Sequence, residues 1–303
     1  MKSEEKKIIG VSFFILVAVI VWAVIVNVNK HSDIAKANTS TAVDKKIAND
    51  LSSNKQASEV SNEADKQNKQ TPMKSNDKGV PVVMYHSVSN EAASENVAGL
   101  RVTKNNFDAQ MKYLKDNGYY TLTMDEVNDF ITKNKPIPEK SVALTFDDGY
   151  EDNYTNVFPV LKQYGFKATV FVVASAIDKD PNYLTTAQLK DMQNNGLDIE
   201  SGTYENVRLG DLTAAQQLKS LQNSKQLLES ILNKKVNYVS YPFGSYNTNT
   251  LDAASKAGYL LGLSRDGKWS YKTDGAYKLS RVYMGPKHTE ANFEDRVNNS
   301  NYQ

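Results

Sequence analysis

The stretch Ser141-Val142-Ala143-Leu144-Thr145-Phe146-Asp147-Asp148-Gly149-Tyr150 carries the reading of the fold. Its first part, apolar and rich in strand formers, reads as a buried strand. The strand runs straight into two adjacent carboxylates, and Gly149 then lets the chain turn sharply. Neighbouring carboxylates are costly together, because each raises the pKa of the other. A metal on one and a proton-transfer duty for the other would resolve the conflict. An Asp-Gly turn with an incidental helix cap accounts for the dipeptide as well.

Outward from this strand, β-branched runs alternate with helical patterns. Strands are expected at Val80–Tyr85, Tyr120–Leu122, Ala168–Val173, Asp198–Thr203, Tyr238–Tyr241, Tyr259–Ser264 and Tyr277–Val282. Helices are expected at Phe107–Asn117, Met124–Lys133, Val157–Tyr164, Thr185–Asn195, Ala214–Leu232 and Thr248–Ala257. Phe107, Met111 and Leu114 have helical spacing, and Thr185 is the expected N-cap of its helix. Repeated β-then-α units imply parallel strands covered by helices. At this strand count the expectation is an α/β fold closed as a (β/α) barrel rather than an open sheet. Such barrels carry chemistry at the C-terminal ends of their strands. Asp147, Asp148, Gly202 and Phe243 should therefore cluster at one end.

The chain has 303 residues, 36 Lys and Arg against 35 Asp and Glu, and no cysteine. A net charge of +1 gives no basic field for nucleic acid. Without cysteine there are no disulfides, thiolate chemistry or Cys-type zinc sites. Residues 8–28 form an apolar run long enough to cross a hydrocarbon core of ~30 Å. Lys2, Lys6 and Lys7 precede it and favour a cytoplasmic N-terminus. Ala35-Lys36-Ala37 has the small-x-small pattern of a signal cleavage site, but it lies well past the run. Residues 1–29 are read as a membrane anchor, the alternative being a signal that is cleaved for secretion. Residues 30–79 are polar, lack aromatics as far as Lys78, and read as a disordered stalk. Residues 80–303 are read as one folded domain outside the cytoplasmic membrane.

The string Thr145-Phe146-Asp147-Asp148-Gly149-Tyr150 resembles the first motif of the polysaccharide deacetylases, the family-4 carbohydrate esterases with the NodB homology domain. Val82-Val83-Met84-Tyr85-His86-Ser87 looks like the opening of the branch that deacetylates biofilm poly-N-acetylglucosamine. Tyr183-Leu184-Thr185 through Met192, Tyr241-Pro242-Phe243-Gly244 and Ala257-Gly258-Tyr259 continue the likeness in family order, from about Val80 to Val282. The resemblance implies an irregular (β/α) barrel and metal-assisted hydrolysis of acetamides on N-acetylated polysaccharide, whether exopolysaccharide or peptidoglycan. It implies Asp147 as general base, Asp148 as metal ligand, His86 as general acid, and the backbone near Phe243 as an oxyanion donor. Asp266 and Trp269 resemble the motif whose Trp shapes the acetyl pocket. Tyr150, Tyr204, Tyr241, Tyr246 and Trp269 are candidates to line a sugar-stacking groove. Arg281, at the end of the last expected strand, is placed to hydrogen-bond the Asp147/Asp148 pair and keep both ionised. His288 reads as solvated surface, and His31 belongs to the stalk.

The family's second motif, a His-Ser/Thr-x-x-His pair of metal ligands, is absent. Gly202 and Asn206 stand at the two histidine positions, which leaves Asp148 alone. A catalytic zinc site normally takes three protein ligands. Three readings stay open. The chain is a pseudoenzyme that binds glycan or a protein partner. Alternatively, Glu200, Glu205 and Asn206 supply an oxygen-rich site for Mg²⁺, Ca²⁺ or Mn²⁺. Or a weak hydrolase remains that uses Asp147 and His86 without a tightly held metal. No cofactor is therefore expected with assurance, although a divalent metal is the family norm. For Glu200 and Glu205, a solvated strand end is the plain alternative to ligation.

Overall fold

A computed structural model describes residues 71–91 and 99–303. The apolar run at 8–28 and nearly all of the expected stalk lie outside the described residues. Among those described, no helix is long and apolar enough to cross a membrane.

Eight strands form the main sheet: β1 (Val82–Tyr85), β2 (Tyr120–Leu122), β3 (Ser141–Phe146), β4 (Thr169–Val172), β5 (Asp198–Ser201), β6 (Tyr238–Ser240), β7 (Leu261–Leu263) and β8 (Val282–Tyr283). Their order is β7-β6-β5-β4-β3-β1-β8, and β2 pairs with the first half of β3. Every pairing is parallel. The sheet curls. Leu279 bridges to Leu263 on β7, and a few residues on Val282–Tyr283 pairs with Val83–Met84 of β1. One closing segment thus touches both edges. The single strand expected at Tyr277–Val282 is realised as this bridge and short ladder, because the segment bends to pass from one edge to the other.

Among the described residues, seven helices accompany the sheet: α1 (Lys104–Asp116), α2 (Met124–Lys133), α3 (Phe158–Tyr164), α4 (Thr186–Asn194), α5 (Ala214–Leu232), α6 (Thr248–Lys256) and α7 (Glu290–Asn298). Thr123, Thr185 and Thr213 open α2, α4 and α5 with reciprocal capping boxes to Glu126, Gln188 and Gln216. Each such cap is worth about 1 kcal/mol. Gly165 ends α3 at φ 70°, a left-handed cap that disfavours a side chain. Helix α7 had no counterpart among the expected elements. It buries only Phe293 and Val297, too few for a clear helical period.

Period-two alternation sorts the strand side chains into two cores. Val83, Val142, Leu144, Phe146, Val170, Ile199 and Val239 pack with helical residues such as Phe107, Met111, Leu189 and Leu221. Val82, Ala143, Phe171, Tyr238, Leu261 and Leu263 share the other core with Val127, Phe130 and Ile131 of α2. They form the inside of the curl, filled at its lower end by α2. The packing also extends upstream of the expected domain start at Val80. Met73–Lys74 pairs with Ile137–Pro138, and the Asn76 amide donates to the Phe130 and Ile131 carbonyls at 3.1 and 3.3 Å. That segment is polar, and backbone pairing rather than apolar burial holds it, so composition did not mark it.

Candidate active site

The alternation that fills the inside of the curl also places the site. Val82 and Met84 lead to His86, and Ala143 and Thr145 to Asp147. Glu200 leads to Gly202, Tyr238 to Ser240, and Leu261 and Leu263 to Arg265. Each of these positions lies at or just beyond a strand's C-terminal end. His86, Asp147, Gly202, Ser240 and Arg265 line one cleft of about 300 Å³. Asp148, Asn206, Pro242, Phe243, Gly99 and Leu100 complete its lining. The structure therefore brings Asp147, Asp148, Gly202 and Phe243 together at one end of the sheet.

Asp147 is clamped. Arg281 donates from both terminal nitrogens, to Oδ1 and Oδ2, each at 2.7 Å. Ser240 Oγ donates to Oδ2 at 2.9 Å. Arg281 is fully buried and reaches further, to Ser240 Oγ at 2.8 Å, Thr145 Oγ1 at 3.3 Å and the Ser264 carbonyl at 2.9 Å. Burial alone would raise the Asp147 pKa, but the guanidinium and these hydrogen bonds hold it below the usual carboxylate range. Asp148 receives no such clamp. Burial and the Asp147 charge push it up to about 7. The expectation that Arg281 keeps both carboxylates ionised is thus corrected, because its fork bonds Asp147, Ser240 and Thr145 but not Asp148.

Three non-glycine residues at the cleft sit in the left-handed region: Asp148 at φ 71°, Thr203 at φ 69° and Phe243 at φ 59°. Each costs on the order of 1–3 kcal/mol and is held by its surroundings. Gly149 follows at φ 73°, where a Cβ would lie 2.7 Å from Val172 Cγ1. The turn Pro242–Gly244 carries Phe243 outward, with its side chain 52 % exposed at the cleft.

His86 lines the cleft but is 6 % exposed, and its Nδ1 is buried with no hydrogen-bond partner. Its ring packs edge-on to Tyr283, with centroids 6.2 Å apart. Desolvation lowers its pKa to about 4, although Asp147 pulls the other way. His288, expected on the solvated surface, is half-buried. Its Nδ1 accepts from the Gly285 N–H at 2.9 Å and its ring packs on Tyr283.

The donor set does not fit a zinc ion. Asp147 is committed to Arg281, which leaves the Asp148 carboxylate, the His86 imidazole and the Asn206 amide. Among the described residues no group of three His, Cys, Asp or Glu side chains is arranged to hold a metal. Gly202 is more than a missing imidazole. A Cβ there would lie 3.0 Å from the Val172 carbonyl carbon and 3.1 Å from the Phe171 and Val172 oxygens. The backbone of β4 would have to give by a few tenths of an ångström to admit a side chain there.

The replacement ligands considered from sequence fall away. Glu200 does lie inside the curl, but at the lower end. It is 1 % exposed, accepts from the N–H groups of Asn237 and Tyr238 at 2.7 Å each, and pairs with Lys234 at 2.5 Å. Glu205 is exposed and away from the cleft lining. Asn206 alone of the three lines the cleft. Tyr241 is 1 % exposed and donates its hydroxyl to the Tyr277 carbonyl at 2.9 Å, so it is core rather than substrate surface. Trp269 is 8 % exposed, donates Nε1 to the Arg296 carbonyl at 2.8 Å, and lies outside the cleft. Asp266 is exposed and accepts from Ser264 Oγ at 2.7 Å, also outside it. Tyr150, Tyr204 and Tyr246 are half-buried and do not line it either, so the expected aromatic groove reduces to Phe243. Ser240 and Arg265 escaped notice in the sequence. Strand parity marks both, Ser240 within β6 and Arg265 two residues past the end of β7.

Comparison with known proteins gives a consistent set. A family model described as polysaccharide deacetylase matches residues 134–262. The polysaccharide deacetylase candidate YxkH of Bacillus subtilis strain 168 is 42 % identical over 207 residues, covering 68 % of this chain and 72 % of YxkH. The poly-beta-1,6-N-acetyl-D-glucosamine N-deacetylase of Staphylococcus aureus is 27 % identical over 206 residues, 64 % of this chain and 71 % of that protein. Among solved structures, the Streptococcus pyogenes deacetylase PplD in complex with acetate is similar at a TM-score of 0.69 and 30 % identity, covering 72 % of this chain and 98 % of that one.

Proposed function

Because this chain belongs to the polysaccharide deacetylase family, we propose that it binds N-acetylated polysaccharide in the Asp147 cleft, at the cell surface, without the family's metal-dependent hydrolysis. The observation that carries this reading is the contrast inside the cleft. The Asp147–Arg281–Ser240 clamp is complete, while Gly202 and Asn206 stand at the two histidine positions and no three metal-ligating side chains come together among the described residues. The clamp keeps a preorganised polar floor, and the exposed Phe243 ring offers a face on which a sugar can stack. The names of the similar proteins, a poly-N-acetylglucosamine deacetylase and a deacetylase holding acetate, support an acetamido sugar as the ligand class.

His86 weighs against metal-free hydrolysis. A ring driven to a pKa of about 4 is neutral at pH 7 and holds no spare proton for a leaving amine. A cell-envelope location rests on the apolar run at 8–28 and the polar stalk after it. In this reading they anchor the chain in the cytoplasmic membrane with residues 80–303 outside; cleavage near Ala37 would release it instead.

The test combines metal analysis of the purified chain, acetate release from N-acetylglucosamine oligomers, and calorimetric binding of the same oligomers. Binding without stoichiometric metal and without acetate release is expected. Stoichiometric zinc together with chelator-sensitive acetate release would overturn the non-hydrolytic reading. Membrane fractionation and external protease test the location.

A further inference from the structure

We infer that Arg265 makes this cleft selective for an N-acetylated sugar unit that also carries an anionic group, a carboxylate or a phosphate. The inference rests on the glycan-binding reading above and specifies its ligand.

Arg265 follows β7 on the inward parity and lines the cleft with Asp147 and Asp148. Among the described residues its guanidinium has no carboxylate within ion-pair distance. The cleft's one clamped carboxylate, Asp147, has its charge matched by Arg281. The cleft therefore presents one guanidinium that no carboxylate ion-pairs among the described residues. Arg208, the other arginine near the mouth, lies over the Phe243 ring but is already paired with Asp211 at 3.5 Å.

The side chain is also held in place. Gly244 packs so closely that a Cβ there would lie 2.7 Å from Arg265 Cβ and 3.1 Å from its backbone nitrogen. The guanidinium carbon stands 5.0 Å over the Tyr283 ring. The Tyr283 hydroxyl is fixed in turn to the Gly99 carbonyl. A planar fork stacked on an aromatic face loses little freedom when it meets a planar or tetrahedral anion, which it receives with two parallel N–H donors. A neutral polysaccharide would leave the guanidinium charge unmatched, and a cation entering beside Asp148 would meet its repulsion.

The test is calorimetry on the full chain with three matched probes: a neutral N-acetylglucosamine oligomer, the same oligomer ending in a phosphate, and one bearing the lactyl carboxylate of N-acetylmuramic acid. Wild type should bind at least one anionic probe about tenfold tighter than the neutral one, as charge-assisted bidentate bonds allow. Whichever probe wins identifies the source of the charge. Arg265→Gln should bind all three alike, at the neutral probe's affinity and with unchanged melting temperature. Arg265→Lys should keep part of the preference. Equal binding of the three by wild type, or a preference that survives Arg265→Gln, overturns this inference and leaves the glycan reading standing. Failure of all three probes to bind overturns both.

Discussion

Replacing Arg281 with Met removes the clamp while nearly preserving side-chain length. The arginine is fully buried and serves five acceptors: both oxygens of Asp147, Ser240 Oγ, Thr145 Oγ1 and the Ser264 carbonyl. Breaking a buried pair by removing one partner costs about 3–5 kcal/mol, because the other charge stays buried without compensation. In a domain of this size each kcal/mol moves the melting temperature by roughly 2–4 °C, so a fall of about 10 °C is expected at pH 7. The loss should depend on pH. The folded pKa of Asp147 lies below its unfolded value. Its stabilising contribution is thus present above the unfolded pKa, near 3.9, and is lost as pH falls through the folded value. Without Arg281, burial dominates and the carboxyl must take up a proton to stay inside. The deficit of Arg281→Met should therefore be large at pH 7 and shrink toward pH 4. Circular-dichroism melts of wild type and variant at the two pH values measure it. Adding Asp147→Leu to Arg281→Met should restore part of the lost stability. A shift of less than about 3 °C, or the same shift at both pH values, would refute the argument that the buried charge is what costs.

Asp148→Asn should raise the melting temperature at pH 8 and change it little at pH 4. A carboxyl whose folded pKa is raised to about 7 opposes folding above its unfolded pKa, and a pH-independent effect would count against that environment. His86 should show no imidazole titration above pH 5 in an NMR pH series, given its pKa of about 4; a midpoint near 6.5 would mean that the ring is solvated. Gly202→Ala should lower stability by roughly 1–3 kcal/mol, because the added methyl presses on the Val172 backbone; a melting temperature equal to wild type would show that β4 yields freely. Gly202→His with Asn206→His should melt lower than wild type in chelator and higher once zinc or cobalt is supplied, with three ligands and one open position rebuilt. A variant that melts alike with and without metal would mean that the two imidazoles never converge.

The fold was readable because strand period and helix stops agree along most of the chain. Ser141–Phe146 was bounded correctly by its apolar run and the Asp pair. The first residues of the domain and the last helix were missed for one reason: Met73–Lys74 and Glu290–Asn298 bury few apolar side chains, so neither leaves a periodic trace. At the site, Asp147 and Phe243 sit where the motif strings end. Glu200 misled because parity fixes the face of a strand but not the depth along it. Its carboxylate binds Lys234 and the start of β6, at the end of the curl opposite the cleft. Tyr241 and Trp269 misled because an aromatic side chain in a motif string serves the core as readily as a groove. The Arg281 clamp was half legible. Position brought it near the pair, but only the geometry of the fork shows that it bonds one carboxylate and not the other.

The closeness of β4 to Gly202 bears on the history open to this chain. Had the histidine pair merely been replaced by smaller residues over an unchanged frame, two substitutions in either order would return it. Here the order matters. A histidine gained first at position 202 presses on the Phe171–Val172 backbone and still lacks its companion at 206. One gained first at 206 faces a single carboxylate. Neither intermediate holds a metal whose binding could offset its cost. A first step at 202 therefore carries a packing cost, and neither step alone brings three ligands together.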